Sequence, residues 1–324
     1  MDFLYVTFSV SGIRTFVLLP PLVAFCVSLL ASMGGVSGAF LLLPYQVSFY
    51  HFTSPSVNAT NFVYNICAIP SGVYRYIREG RMVWPLTFTI VAGTLPGVLL
   101  GYYLRVQLLP DPRTFKLFAG CVLLYIGAYL LAETTRDFRK KGVPTQKVDE
   151  GSLKQSLVSN RKRFAHGPRG DVSETAVRAV HFTLKRTEYD FLGERFSFNT
   201  STMFILALLV GIIGGAYGIG GGSILAPICV ALFDLPIYTI AGATLMSTFL
   251  TSIAGVFFYS MIPAQSGIST APDWMLGILF GVGGFVGMYC GARLQKLVPQ
   301  KVIKAMLGAI ILFIAGSYIW QRFA

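Results

Sequence analysis

Three asparagines, Asn58, Asn61 and Asn65, stand at i, i+3 and i+7 in "VNATNFVYNI", a spacing that puts them on one face of a helix. Their amide N–H groups offer an anion hydrogen-bond donors without placing a full charge in an apolar segment. A second set of small polar side chains, Thr244, Ser247, Thr248, Thr251 and Ser252, fills "GATLMSTFLTS". Ahead of each set runs a glycine-rich stretch, "SMGGVSGAFLLLP" (32–44) and "GAYGIGGGSILAP" (215–227), inside otherwise apolar sequence. Glycine and proline are poor helix formers, so each stretch predicts a break. The helix that restarts after a break has free N–H groups and roughly half a positive charge at its first turn. Such a start binds anions without any lysine or arginine. The candidate substrate-binding residues are therefore Ser37, Gly38, Asn58, Asn61, Asn65, Gly220, Gly221, Gly222, Ser223, Thr244, Ser247 and Thr248. A simpler reading competes: glycines permit close helix packing, and polar side chains bond between helices. Recurrence at matched positions favours the site.

The elements that must position these residues are membrane helices. The chain has 324 residues, 54% hydrophobic and 12% charged, with a mean hydropathy of +0.64. Soluble domains carry about 25% charged residues. Apolar stretches recur at lengths that cross a bilayer, and the short alternating segments of a β-barrel are not the pattern. The class is an all-α polytopic membrane protein. Its net charge of +12 reads as basic loops held on the cytoplasmic side, not as a nucleic-acid surface. The five cysteines (Cys26, Cys67, Cys121, Cys229, Cys290) lie in apolar segments without CxxC spacing and read as core residues, with no metal or other cofactor expected. The N-terminus lacks a basic n-region and cleavage site and reads as retained.

The chain reads as two copies of one unit. Gly38 and Pro44 match Gly221 and Pro227 at an offset of 183, and "NAT" (58–60) matches "GAT" (242–244) at 184. Gly97 and Gly101 match Gly287 and Gly291, and Lys116 and Gly120 match Lys304 and Gly308. Each copy holds about five helical segments, eight to ten in all: 15–33, 38–50, 56–77, 84–106 and 114–132, then 201–216, 220–234, 238–260, 272–296 and 301–321. The second segment of each is short for a span and reads as broken or re-entrant. The domains are a first transmembrane repeat (1–133), a basic insert (134–199) and a second repeat (200–324). The insert holds fourteen Lys/Arg against eight Asp/Glu. Its early part has a disordered composition, its basic runs suit anionic lipid head groups, and alternation at Val180, Phe182 and Leu184 predicts a short β-hairpin or small sheet.

Charge sets the orientation. With the insert in the cytoplasm and the copies inverted, "RYIREGR" (75–81) and the turn bearing Arg293, Lys296, Lys301 and Lys304 fall inside, and the neutral "IPAQSGISTAPD" (262–273) falls outside. That is the positive-inside arrangement. Arg105, Arg113 and Lys116 run against it, as outside-facing charges offset only by Asp111. A parallel arrangement of four helices per copy is the alternative. Inverted repeats with broken helices are a secondary-transporter plan, and a backbone break persists in a membrane only inside protein or beside a wet cavity.

No apolar segment holds a nucleophile with a base or a cluster of acids and histidines, which argues against a membrane enzyme. A scaffold using the basic insert is a further alternative. A proton relay of intramembrane acids is not visible: the six acids outside the insert (Asp2, Glu79, Asp111, Glu133, Asp234, Asp273) lie at segment ends. Voltage would serve instead, since a divalent anion leaving across 100 mV gains roughly 4.6 kcal/mol.

"GIGGGSILAP" followed by "AGATLMSTFLTS", duplicated across the chain, resembles the sulfite exporter (TauE/SafE) family. The resemblance covers both membrane halves and not the insert. Copy one departs from it: "GGVSGAFLLLP" replaces a glycine triplet, and Asn58 stands where copy two has Gly242. The resemblance implies a carrier in the plasma (inner) membrane that exports or transports sulfite, organosulfonates or related small sulfur anions, the alternative being a transporter of another small anion or an uptake permease. Its partners would be that anion and the bilayer, with a homodimer as the default assembly for a carrier.

Overall fold

The computed structural model describes residues 4–33, 37–78, 80, 82–139, 178–183, 185–191, 194–233, 235, 237–262, 264, 269–294 and 300–323. A two-stranded hairpin, β1 (Tyr5–Thr7) and β2 (Arg14–Phe16), precedes the helices. The first half then runs α1 (Leu19–Met33), α2 (Ala39–Phe49), α3 (Ser56–Ala68), α4 (Pro70–Arg78), α5 (Trp84–Tyr103) and α6 (Pro112–Arg139). A π-helical turn, Leu104–Leu108, continues α5. The second half runs α7 (Thr200–Tyr217), α8 (Gly222–Phe233), α9 (Ile237–Met261), α10 (Trp274–Leu294) and α11 (Gln300–Phe323). Five helices are long and apolar enough to cross a membrane, within α5, α6, α7, α9 and α10, and three shorter apolar helices lie within α1, α2 and α11.

Two features differ from the sequence reading. The helix expected over 56–77 divides at Ile69, ahead of Pro70, because the proline has no N–H to continue the ladder; Ile69 itself keeps helical angles. The charged stretch 75–81, read as a loop, is helical up to Arg78. Of the hairpin or sheet expected in the insert, the structure has a three-stranded antiparallel sheet: β3 (Arg178–Phe182), β4 (Thr187–Phe191) and β5 (Glu194–Phe198). The sheet is fixed to the helices. Thr187 and Thr200 share a hydroxyl hydrogen bond of 2.8 Å, Tyr189 and Thr239 one of 2.9 Å, and Tyr189, Phe191 and Phe198 are buried in the core. Residues 140–177 of the insert lie outside the described residues.

Helix partners are exchanged between the halves. Gly93, Gly97 and Gly101 of α5 pack on Ala207, Gly211 and Ala216 of α7, in parallel. Gly283, Gly287 and Gly291 of α10 pack on Pro21, Phe25 and Leu29 of α1, also in parallel. Glycine every fourth residue removes the side chains between two axes, the close approach common to membrane helices. Thus the first helix of each half packs on the fourth helical segment of the other. The last helices, α6 and α11, pair antiparallel: Gly120 meets Tyr318, Gly127 meets Leu312, and Gly308 meets Leu131. At the centre α3 and α9 also run antiparallel, with Phe62 against Gly255 and Tyr76, in α4, against Gly242.

Candidate functional site

Both glycine stretches break the helix, and the breaks meet. In the second, α7 stops at Tyr217, Gly218 and Gly220 take φ values of 79° and 71°, and α8 starts at Gly222. Those angles lie in the left-handed region, where a Cβ collides with backbone. In the first, Ser37 and Gly38 lead into α2 with no side chain capping its N-cap at Gly38, while residues 34–36 lie outside the described residues.

The asparagine ladder of α3 stitches the breaks together. Asn58 Nδ2 donates to Ala216 O at 2.6 Å. Asn61 Nδ2 donates to both Ala39 O (3.0 Å) and Gly218 O (2.9 Å). Asn65 Nδ2 donates to Ile219 O at 3.2 Å and its Oδ1 accepts from Ser37 Oγ at 3.0 Å. Asn61 and Asn65 therefore each touch both breaks. All three asparagines are fully buried. A fourth tie has a clear origin in the sequence. Pro44 has no N–H, so Phe40 O loses its partner one turn back; the Tyr217 hydroxyl donates to Phe40 O at 3.1 Å.

The amide donors are thus used on carbonyls at the end of α7 and the start of α2. The chemical result is a polarity change at the gap. A helix end presents carbonyl oxygens with roughly half a negative charge. Here the carbonyls of Ala216, Gly218 and Ile219 are covered by amide N–H groups, whereas the first N–H groups of α2 and α8 have no acceptor within their own helices.

The second polar set sits behind α8 and is tighter than the sequence implies. Thr244, Thr248 and Thr251 return their hydroxyl hydrogens to their own helix, on Ile240 O (3.1 Å), Thr244 O (2.9 Å) and Ser247 O (2.7 Å). Ser247 pairs with Thr94 of α5 at 3.0 Å. The glycines pack hard on this face. A Cβ on Gly222 would overlap Thr244 O and Thr248 Oγ1, one on Gly220 would lie 2.9 Å from Thr248 Cγ2, and one on Gly221 would lie 2.7 Å from Thr94 Cγ2. One on Gly38 would overlap the Tyr64 hydroxyl. Ser223 falls in the first turn of α8, and its side chain is outside what the structure describes. The remaining candidates are all buried.

Arg105 is the residue that the sequence reading placed wrongly. Read as an outside-facing charge at the end of the segment 84–106, it is fully buried at the π-helical end of α5. Its Nε donates to Asn58 Oδ1 at 3.2 Å, Nη2 to Thr53 O at 2.6 Å, and Nη1 to Leu109 O. The guanidinium lies 3.8 Å from the centroid of the Phe115 ring, a cation–π contact. Among the described residues no carboxylate pairs with it. Its charge reaches the break through Asn58, whose other end holds Ala216 O. An arginine within a predicted span is itself a signal of function. Asp111, beside it in sequence, is exposed; the Thr114 backbone N–H and hydroxyl donate to its carboxylate and hold it below the ordinary carboxylate range.

A surface cleft of about 400 Å³ is lined by Lys185, Arg186, Ser197, Phe198, Asn199, Leu232 and Phe233. It contains none of the break residues.

The family model described as "Sulfite exporter TauE/SafE" matches residues 21–318. The chain is 22% identical over 306 residues to the "Probable membrane transporter protein YunE" of Bacillus subtilis, covering 93% of this chain and 95% of that one. It is 31% identical over 121 residues to the "Probable membrane transporter protein YdhB" of the same organism, covering 37% of this chain and 46% of that one. Over 112 residues it is 28% identical to "Sulfite exporter TauE/SafE family protein 1" of Arabidopsis thaliana, covering 35% and 22% of the two chains. No solved structure matches the chain significantly.

Proposed function

From the premise that the chain belongs to the sulfite exporter TauE/SafE family of membrane transporters, we propose that it is a secondary carrier that exports a small sulfur oxyanion, sulfite or an organosulfonate, by alternating access at the joined breaks. The carrying observation is the ladder of Asn58, Asn61 and Asn65, which ties two broken helices into one buried junction and covers the carbonyls that would repel an anion. What remains at the junction is the positive side of two helix starts, with Arg105 behind Asn58. Burial of these side chains on all sides fits an occluded state of such a cycle.

The carrier is read as two inverted repeats in the plasma membrane, with the insert in the cytoplasm. Reciprocal partnering of α1 with α10 and of α7 with α5 supports the repeat, and the antiparallel α3–α9 and α6–α11 pairs support the inversion. The parallel α5–α7 pair has the starts of both helices on one side, which fits a shared face for the basic segments that precede them. Burial of Arg105 removes one of the three charges that ran against the positive-inside rule. Outward movement of each negative charge gains about 2.3 kcal/mol per 100 mV, so no proton relay is needed.

The test is efflux from proteoliposomes loaded in turn with sulfite, sulfate, thiosulfate and small organosulfonates, under an imposed potential. Sulfite or a sulfonate should leave faster with the lumen negative. The nearly isosteric Asn61→Asp puts a carboxylate at the junction and should abolish efflux while the protein still inserts. Efflux that ignores voltage and follows a proton gradient would overturn the drive; full activity in Asn61→Asp would overturn the site.

A further inference from the structure

Of the three ladder amides, one is incompletely used. Asn58 Oδ1 accepts from Arg105 and Asn65 Oδ1 accepts from Ser37. Asn61 Oδ1 is fully buried and has no hydrogen-bond partner among the described residues. Its orientation is not in question. A flipped amide would point its oxygen at Ala39 O and Gly218 O, the two carbonyls that Nδ2 now serves. The oxygen therefore belongs to the amide that joins Ala39, at the start of α2, to Gly218, just past the end of α7. A buried acceptor left without a donor is costly. Helix starts offer N–H donors to an anion, and at α2 the Ala39 N–H already donates to Ser37 Oγ at 3.4 Å.

We propose that the ligand held at this junction is a monoprotonated oxyanion, whose O–H donates to Asn61 Oδ1 while its other oxygens accept from the helix starts. The inference rests on the anion-carrier reading above and narrows it: of the two forms of sulfite present near neutrality, the site takes bisulfite. The dianion would set lone pairs against the Asn61 oxygen. A site that requires a hydrogen bond from its ligand rejects the analogue that lacks it. The preference here should be at least about tenfold, the fold-change expected for one unpaired buried polar group. The carried charge is then one, which halves the voltage drive per molecule relative to the dianion.

The titratable and charged groups on the surrounding elements are Tyr64 and Cys67 on α3, Tyr45 on α2, Tyr217 on α7, Cys229 on α8, Tyr259 on α9, Tyr102, Tyr103 and Arg105 on α5 and its π-helical end, and Asp273 at the start of α10. The Tyr64 hydroxyl is bonded to Ser28, those of Tyr217 and Tyr259 to backbone carbonyls, and the Asp273 carboxylate to Ser11 and the Leu276 N–H. Phenols, thiols and guanidinium ionise above neutrality and carboxylates below it, so a slope in binding near neutrality reports the ligand.

The experiment is equilibrium binding of total sulfite to the purified full-length protein across the pH range in which bisulfite gives way to sulfite. Methanesulfonate, which has no proton to lose there, serves as the control. The expected result is an apparent Kd for total sulfite that rises with pH in step with the loss of bisulfite, and a weaker, pH-independent Kd for methanesulfonate. A Kd that is flat or falls as the dianion accumulates would overturn this inference and leave the carrier reading standing. Failure of sulfite and methanesulfonate to bind at any pH would overturn both.

Discussion

Gly218→Ala tests the geometry of the second break directly. Gly218 carries two separable constraints, a φ of 79° and a backbone pressed on Asn58, whose Cα would lie 2.7 Å from an added Cβ. Three other glycines isolate those constraints. Gly12 has a φ of 69° and nothing within 4 Å of its Cβ position, so Gly12→Ala meets strain alone. Gly222 has an ordinary φ and overlaps Thr244, so Gly222→Ala meets crowding alone. Gly316 has neither, and lies within α11. A left-handed alanine costs about 1–2 kcal/mol, and overpacking costs about 1–3 kcal/mol. Gly218→Ala should therefore cost about 2–5 kcal/mol, Gly12→Ala and Gly222→Ala one share each. Gly316→Ala should gain about 0.5–1 kcal/mol from helix propensity. At roughly 2 °C per kcal/mol for a chain of this size, detergent-solubilised Gly218→Ala should melt about 4–10 °C below the parent. Apparent melting by size-exclusion after heating would rank the four. Gly218→Ala melting with the parent, or no lower than Gly12→Ala, would refute the close seat of the break on Asn58.

Asn65→Leu removes the donor to Ile219 O and the acceptor for Ser37, and should destabilise by about 2–5 kcal/mol from two buried groups left unpaired, read as a lowered melting temperature. Arg105→Lys keeps the charge that Arg105→Gln removes. If the guanidinium acts on an anion roughly 10 Å away at an effective dielectric of about 20, the charge is worth about 1.7 kcal/mol. Arg105→Gln should then raise KM for sulfite efflux by about tenfold or more, with Arg105→Lys recovering most of it; equal loss in both would make the residue purely structural. Deletion of 142–175 should leave efflux largely intact, whereas deletion of 178–198 should lower yield and melting temperature, because Tyr189, Phe191 and Phe198 belong to the core.

Much of this was legible because the signals were local. Glycine clusters and a proline at matched offsets announced two breaks, and the i, i+3, i+7 spacing announced one polar face. The partners of that face were not legible. Asn58, Asn61 and Asn65 bind carbonyls more than 150 residues away in sequence, and a carbonyl has no sequence signature. Arg105 was misplaced for a related reason. Its position near the end of an apolar span is what a snorkelling loop cation also shows, and only the fold brings Asn58, Thr53 and Phe115 around it. Thr94 was missed because one threonine in an apolar helix carries no pattern until Ser247 and Gly221 are set against it.

Packing and binding were opposed readings of the glycines, and the structure makes the first a condition of the second. A broken helix offers an anion one attractive and one repulsive end, a helix start and a helix stop, at nearly the same place. Unless the stop is neutralised, its carbonyls offset the start. The amides of Asn58, Asn61 and Asn65 reach Ala216 O, Gly218 O and Ile219 O only because Gly218 lets the chain turn with its backbone against α3. Gly220, Gly221 and Gly222 let α8 start against Thr248, Thr94 and Thr244 without a side chain between them. The glycines are thus required for the approach, and the approach is what turns the local field positive. Substitutions that relieve the crowding from the opposite side, such as Thr94→Ser facing Gly221→Ala, should therefore restore melting temperature before they restore efflux. Recovery of folding without recovery of anion affinity would separate the shape of the break from its charge.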